Sequence, residues 1–163
     1  MKPLLLVVFL FFVVACQAQD TKFNGISFVA SRDSISQEHV APLLQINANY
    51  AAVMPFGFIE SLDHPEILYN TDRQWFGETM EGTKQYITKL QQNDIKVMLK
   101  PQIWIWHGEF TGHLSMDTEK DWKLLEASYR NFILDFARLA EETNVSLLCI
   151  GTELEQFIKQ RPT

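Results

Sequence analysis

Only two cysteines occur in the chain, Cys16 and Cys149, and the first stands directly behind an apolar run, Leu4 to Val14. If Cys16 is processed, Cys149 has no partner. No intrachain disulfide is then expected, and Cys149, inside the apolar segment 145–150, reads as a buried, inert thiol. Basic clusters are also missing. Fourteen Lys and Arg face twenty Asp and Glu, a formal charge of -6, which disfavours a nucleic-acid partner. No G-x-G-x-x-G follows the first strand, so a dinucleotide site loses its usual support. His107, Glu109 and His113 match no common zinc spacing and no cysteine joins them, so neither metal nor cofactor is expected. No internal repeat and no low-complexity linker is visible. The apolar run itself falls short of the ~20 residues that a membrane-crossing helix needs.

What that run offers instead is an export signal. Lys2 gives a short positive region, Leu4–Val14 the apolar core, and Ala15 to Gln19 a small-residue exit. The competing reading is a buried core helix. Val13-Val14-Ala15-Cys16 resembles a lipobox, in which Cys16 would become the lipidated first residue; ordinary cleavage near Ala18 is the alternative. The expected organisation is a signal over 1–16 and one folded domain over 17–163. The product is either a membrane-anchored lipoprotein or a periplasmic or secreted protein. One acyl chain anchors only marginally, so stable anchoring needs more than one. Removing residues 1–16 takes away one Lys and no acid, lowering the formal charge from -6 to -7.

Beyond the leader, strand and helix patterns alternate. Phe23 to Ala30 reads as a first strand. Ser34 and Gln37 make a possible capping box before a stripe of Val40, Leu43 and Leu44. Asn49 to Ile59 reads as a second strand entering a Pro/Gly loop. A helix fits about 80–93, with Thr83, Tyr86, Ile87 and Leu90 on one face. Ile95 to Pro101 is a third strand, apolar enough to be covered on both faces, and a long loop is expected over 102–117. Thr118 and Asp121 cap a long amphipathic helix carrying Trp122, Leu125, Tyr129, Phe132, Ile133, Phe136 and Leu139. Val145 to Ile150 is a fourth strand. The fold class is therefore α/β, with parallel strands near 24–30, 50–56, 95–100 and 145–151 in sequential order. An open doubly wound sheet and a closed barrel both fit that pattern.

In both architectures function gathers at the C-terminal ends of strands. Strand one ends at Ser31, Arg32 and Asp33. Strand two ends at Phe56 and Gly57, strand three at Lys100, Trp104, Trp106 and His107, and strand four at Thr152 and Glu153. A carboxylate just past a buried strand is partly desolvated, which favours the protonated form that a general acid needs. Glu153 fits that description, or else it caps the following helix. Glu155 reads as structural. Trp104 and Trp106 share a face in extended chain and suit the apolar faces of sugar rings; loop packing is the alternative. His107 can donate a hydrogen bond to substrate. Lys100 is either a solvated strand-end charge or a mouth residue that bonds hydroxyls.

Four segments, NGISFVA, NYAAVMPFGF, KVMLKPQIWIWHGEF and CIGTELE, resemble the strand-end motifs of β-mannanase-like glycoside hydrolases close to family 113. The resemblance covers about 23–160 and rests mainly on the last two segments. It implies the first half of a (β/α)₈ barrel of the retaining clan, with Glu153 as acid/base and a polysaccharide or oligosaccharide substrate of mannan type. Phe56, Lys100, Trp104, Trp106, His107 and Thr152 then become candidate sugar-site residues. Thr152 stands where many clan members carry Asn. In the clan the nucleophile follows strand seven, beyond Thr163, so the chain is expected to lack the second carboxylate and to be inactive alone. A carbohydrate-binding lipoprotein without catalysis and an unrelated small-molecule-binding α/β protein are the other readings.

Overall fold

The computed structural model describes residues 22–162; the expected leader and Cys16 lie outside them. Its elements are β1 (Gly25–Phe28), α1 (Gln37–Gln45), β2 (Tyr50–Val53), β3 (Phe56–Ile59), α2 (Met80–Gln91), β4 (Lys96–Leu99), β5 (Gln102–Ile105), α3 (Glu119–Glu142), β6 (Leu147–Leu148) and α4 (Glu155–Gln160). Short 3-10 turns occupy Phe76–Glu78, Trp106–Gly108 and Thr111–His113.

The main sheet runs β1-β2-β4-β6 with every neighbour parallel, and β3 pairs with β5, also parallel. β3 continues β2, and β5 continues β4. Tyr50 faces Lys96 and Phe56 faces Gln102, so the register is unchanged across the break. Pro55 and Pro101 interrupt the strands because proline has no N–H to give the ladder. Flanking bonds carry the pairing past them: Lys100 N–H to the Val53 carbonyl at 2.8 Å, and Gln102 N–H to the Pro55 carbonyl at 2.9 Å. The third strand thus runs on to Ile105, which corrects the expected loop from 102. Pro101 reads as a terminator in sequence, but here it is only an interruption.

Alternation along these strands separates two faces. Val53, Ile59, Val97, Leu99 and Ile105 are fully buried against the helices. α2 buries Thr83, Tyr86, Ile87 and Leu90, as its spacing predicts, and α3 buries Trp122, Leu125, Phe132, Phe136 and Leu139. Phe132 anchors an aromatic cluster, with ring centroids 5.2 Å from Tyr69 and 5.3 Å from Phe136. At the start of α3, Thr118 Oγ1 accepts the Asp121 N–H at 3.1 Å. α1 starts later than expected. Ser36, rather than Ser34, is its cap, accepting the Glu38 N–H while His39 Nδ1 accepts the Ser36 N–H.

The helix-to-strand turns repeat one solution. Asn47, Asp94 and Asn144 take positive φ after α1, α2 and α3. The next residue then donates back into the helix: Ala48 to Leu43, Ile95 to Leu90 and Val145 to Ala140. This is the Schellman arrangement, and Asn and Asp are the side chains that tolerate it best after glycine.

β6 departs from expectation. Only Leu147 and Leu148 pair, with Cys149 N–H adding a bond to the Leu99 carbonyl. Ile150 is 67% exposed and Cys149 is half-buried, not fully buried. β6 is an edge strand, and among the described residues no element covers its outer side.

Candidate active site

Parallel strands bring their C-terminal ends to one side, and an open cleft of about 830 Å³ lies there. Phe56 and Phe58 from β3 and Trp104 from β5 project from one sheet face and make its floor. Trp104 meets Phe56 edge-on at 6.2 Å. Trp106 opens the turn beyond β5 and also lines the cleft. Trp104 and Trp106 are 50% and 53% exposed. Exposed aromatic surface of this kind marks a binding surface more often than a packing one.

The cleft wall is a segment that carries none of the sequence-predicted site residues. Residues 60–79 fill a long strand-to-helix connection, and Leu68 with residues 71–75 and Glu78 line the cleft. Several bonds fasten this wall. Phe58 and Leu68 exchange backbone bonds at 2.8 Å. Gln74 accepts the Thr71 N–H at 3.0 Å and donates to the Phe56 carbonyl at 2.7 Å. Gly77 N–H reaches the Ser31 carbonyl at 3.0 Å. Gly82, in the first turn of α2, lets that helix abut the Phe76 carbonyl, where any Cβ would collide. Glu78 Oε2 accepts the Trp75 N–H at 3.1 Å, and burial pushes this carboxyl above its usual range, opposed by that bond. The signal that could have found the wall is loop length, since long connections in compact domains are commonly functional.

Glu153 leaves β6 with φ 53°. Thr111 Oγ1, itself buried, donates to its Oε2 at 3.4 Å. Among the described residues Glu153 is exposed, not desolvated as expected, because β6 is the edge of their sheet. Tyr129 braces the approach to this corner. Its hydroxyl donates to the Ile150 carbonyl at 2.6 Å, and burial pushes its pKa up to about 12. His107 is the second strand-end residue with positive φ, at 67°, and it is exposed. Lys100 and Thr152 are half-buried.

The structure therefore brings Phe56, Trp104 and Trp106 into one cleft. Lys100, His107, Thr152 and Glu153 stand at the same ends of their strands but do not line it. Glu155 packs against Gly112, in keeping with a structural part. Among the described residues, no group of three or more His, Cys, Asp or Glu side chains is placed to hold a metal ion.

Comparison with known proteins agrees with this architecture. The chain is similar to the β-mannanase AaManA from Alicyclobacillus acidocaldarius, solved in complex with ManMIm. Identity is 19%, the TM-score is 0.74, and the match covers 85% of this chain and 47% of that one. A structure described as a GH113 β-1,4-mannanase, solved as a complex, matches at 19% identity and TM-score 0.71, over 85% of this chain and 48% of its own. The chain thus spans about half the length of these enzymes, and the likeness establishes the parallel-strand barrel fold. No curated protein matches the chain. The sequence profile of Glycoside Hydrolase Family 113 matches residues 29–162, nearly all of what the structure describes, and the chain belongs to that family, corresponding to the N-terminal half of its barrel.

Proposed function

We propose that this chain supplies the acid/base and part of the glycan-binding mouth of an exported, retaining glycosidase acting on β-linked mannan. The observation that carries this reading is the family match over 29–162, with Glu153 in the segment that follows β6, the fourth main strand. Similarity to structures described as β-mannanases favours mannan among β-linked polysaccharides.

In this mechanism the Glu153 carboxyl protonates the glycosidic oxygen as the bond to the leaving sugar breaks. After departure of that sugar, its carboxylate takes the proton from the attacking water. Thr111 holds the carboxylate by its hydroxyl. The positive φ at Glu153 is a strained conformation for Glu, of the kind that persists where a side chain must be aimed. Phe56, Trp104 and Trp106 take the apolar faces of sugar rings. Lys100, His107 and Thr152 serve hydroxyls near the scissile bond. A retaining mechanism also needs a nucleophile about 5–5.5 Å from the acid/base. Asp33 and Glu60, the other carboxylates near strand ends, do not stand where the clan places it. The nucleophile is assigned to a second half of the barrel.

Export belongs to the same proposal, with Cys16 as the lipidated first residue. Mass spectrometry of the protein from its host should find an acylated Cys16 N-terminus; an intact Met1 would reject export. The decisive test of the enzyme assignment is the DNA beyond the codon for Thr163. An open frame encoding four more βα units with a strand-seven carboxylate is expected. Its absence there, and elsewhere in the same genome region, would overturn the assignment.

A further inference from the structure

Glu78 stands out in the cleft for chemical reasons. Of the ionisable side chains lining it, Asp72 and Arg73 are exposed, whereas Glu78 is half-buried beside the aromatic floor. It makes no ion pair among the described residues. One carboxylate oxygen accepts the Trp75 N–H, and the other, Oε1, has no hydrogen-bond partner among the described residues. Even partial burial of a carboxylate without a counter-charge disfavours its ionised form, although neither Glu78 oxygen is a buried, unsatisfied atom. The wall that holds it is nevertheless fixed at Leu68, Gln74, Gly77 and Gly82, so the position is built and not a chance of loop conformation. Trp75 also lines the cleft and is 44% exposed. The Arg32 guanidinium lies 5.6 Å from its ring centroid.

A sugar ring is the chemical complement of this arrangement. It has an apolar C–H face for the tryptophans and a rim of hydroxyl donors for a carboxylate acceptor. We propose that Glu78 is a substrate-binding residue, accepting hydroxyl protons of a sugar unit held between the Trp104–Trp106 floor and the Trp75 wall. This rests on the reading of the cleft as a glycan site. It adds a polar specificity residue outside the strand ends, on the connection between β3 and α2. A charge-assisted hydrogen bond in a partly desolvated cleft is worth more than a neutral one, so both loss of the side chain and loss of its charge should weaken binding.

The test is titration calorimetry of the purified protein with β-1,4-linked mannohexaose. Four proteins are compared: wild type, Trp104→Ala, Glu78→Ala and Glu78→Gln. Near-UV circular dichroism checks that each is folded. Wild type should bind, Trp104→Ala should lose binding, and both Glu78 variants should bind about tenfold more weakly, equivalent to about 1.4 kcal/mol. If Glu78→Gln binds like wild type, Glu78 merely holds the Trp75 backbone and the proposal is overturned while the glycan site stands. If wild type binds and Trp104→Ala binds equally well, the aromatic floor is not the glycan site and both fall. The isosteric Gln variant decides the matter even if Glu78→Ala does not fold.

Discussion

The two ends of the sheet solve the same geometric problem in opposite ways. At the end where helices return to strands, residues 46–49, 92–95 and 143–146 are turns of equal length, with Asn or Asp in the left-handed region and a back-bond to the helix. At the other end the connections differ in length and carry short 3-10 turns. There the left-handed positions include His107 and Glu153, the latter a side chain that the conformation does not favour. Uniform turns with tolerant residues are what stability alone would select. Strained, exposed and aromatic residues at the opposite end need another reason, and in (β/α) barrels that end holds the chemistry.

Substitutions should separate the two ends. The largest contrast pairs the helix-covered core with the cleft. Phe132→Ala removes a fully buried ring from the aromatic cluster and should cost about 3–5 kcal/mol in denaturant unfolding. Trp104→Ala, at a half-exposed ring, should shift stability by no more than about 0.5 kcal/mol while losing mannohexaose binding. Comparable destabilisation by both would erase the distinction.

A smaller contrast uses the left-handed positions. Asn144→Val places a β-branched residue where φ is 52° and should destabilise by about 1–2 kcal/mol. Glu153→Gly relieves the same conformation at the mouth and should leave thermal stability unchanged or raised by up to about 1 kcal/mol. A clear loss of stability on Glu153→Gly would mean that this residue is structural, a cap of the following helix.

The smallest effect concerns pH. Burial raises the Glu78 carboxyl above its unfolded value, so its favourable contribution is present at acid pH and is lost as pH rises through the raised value. Thermal melts of Glu78→Gln against wild type should therefore favour the variant more at pH 7 than at pH 4. The opposite trend would show that the carboxylate is stabilised by its surroundings.

Much of the scaffold was legible because periodicity reports burial directly. The 3.6-residue stripes of α2 and α3 and the apolar runs of β2 and β4 name the residues that the core contains. Three features were not. Pro101 concealed the continuation of its strand, because the flanking bonds that bypass it are not written in the local sequence. Leu147 to Ile150 reads as buried, yet burial depends on neighbours, and among the described residues β6 has a strand on one side only. The cleft wall has no periodic pattern at all. The segment that carries Trp75 and Glu78 is placed by bonds from Gln74 to Phe56 of the floor and from Gly77 to Ser31 after β1, contacts between distant positions. Of the candidate site, Phe56, Trp104 and Trp106 were recognisable as strand-end aromatics, and the wall facing them was not.

The most direct measurement of the central claim is turnover by these 163 residues on β-1,4-mannan and on aryl β-mannosides, with Glu153→Gln assayed beside them. On the proposed function, no release of reducing sugar or phenol above the blank is expected from either protein, because a retaining cycle needs a nucleophile beside the acid/base. Turnover by the wild-type chain that disappears in Glu153→Gln would contradict it, since a nucleophile would then have to lie within these residues.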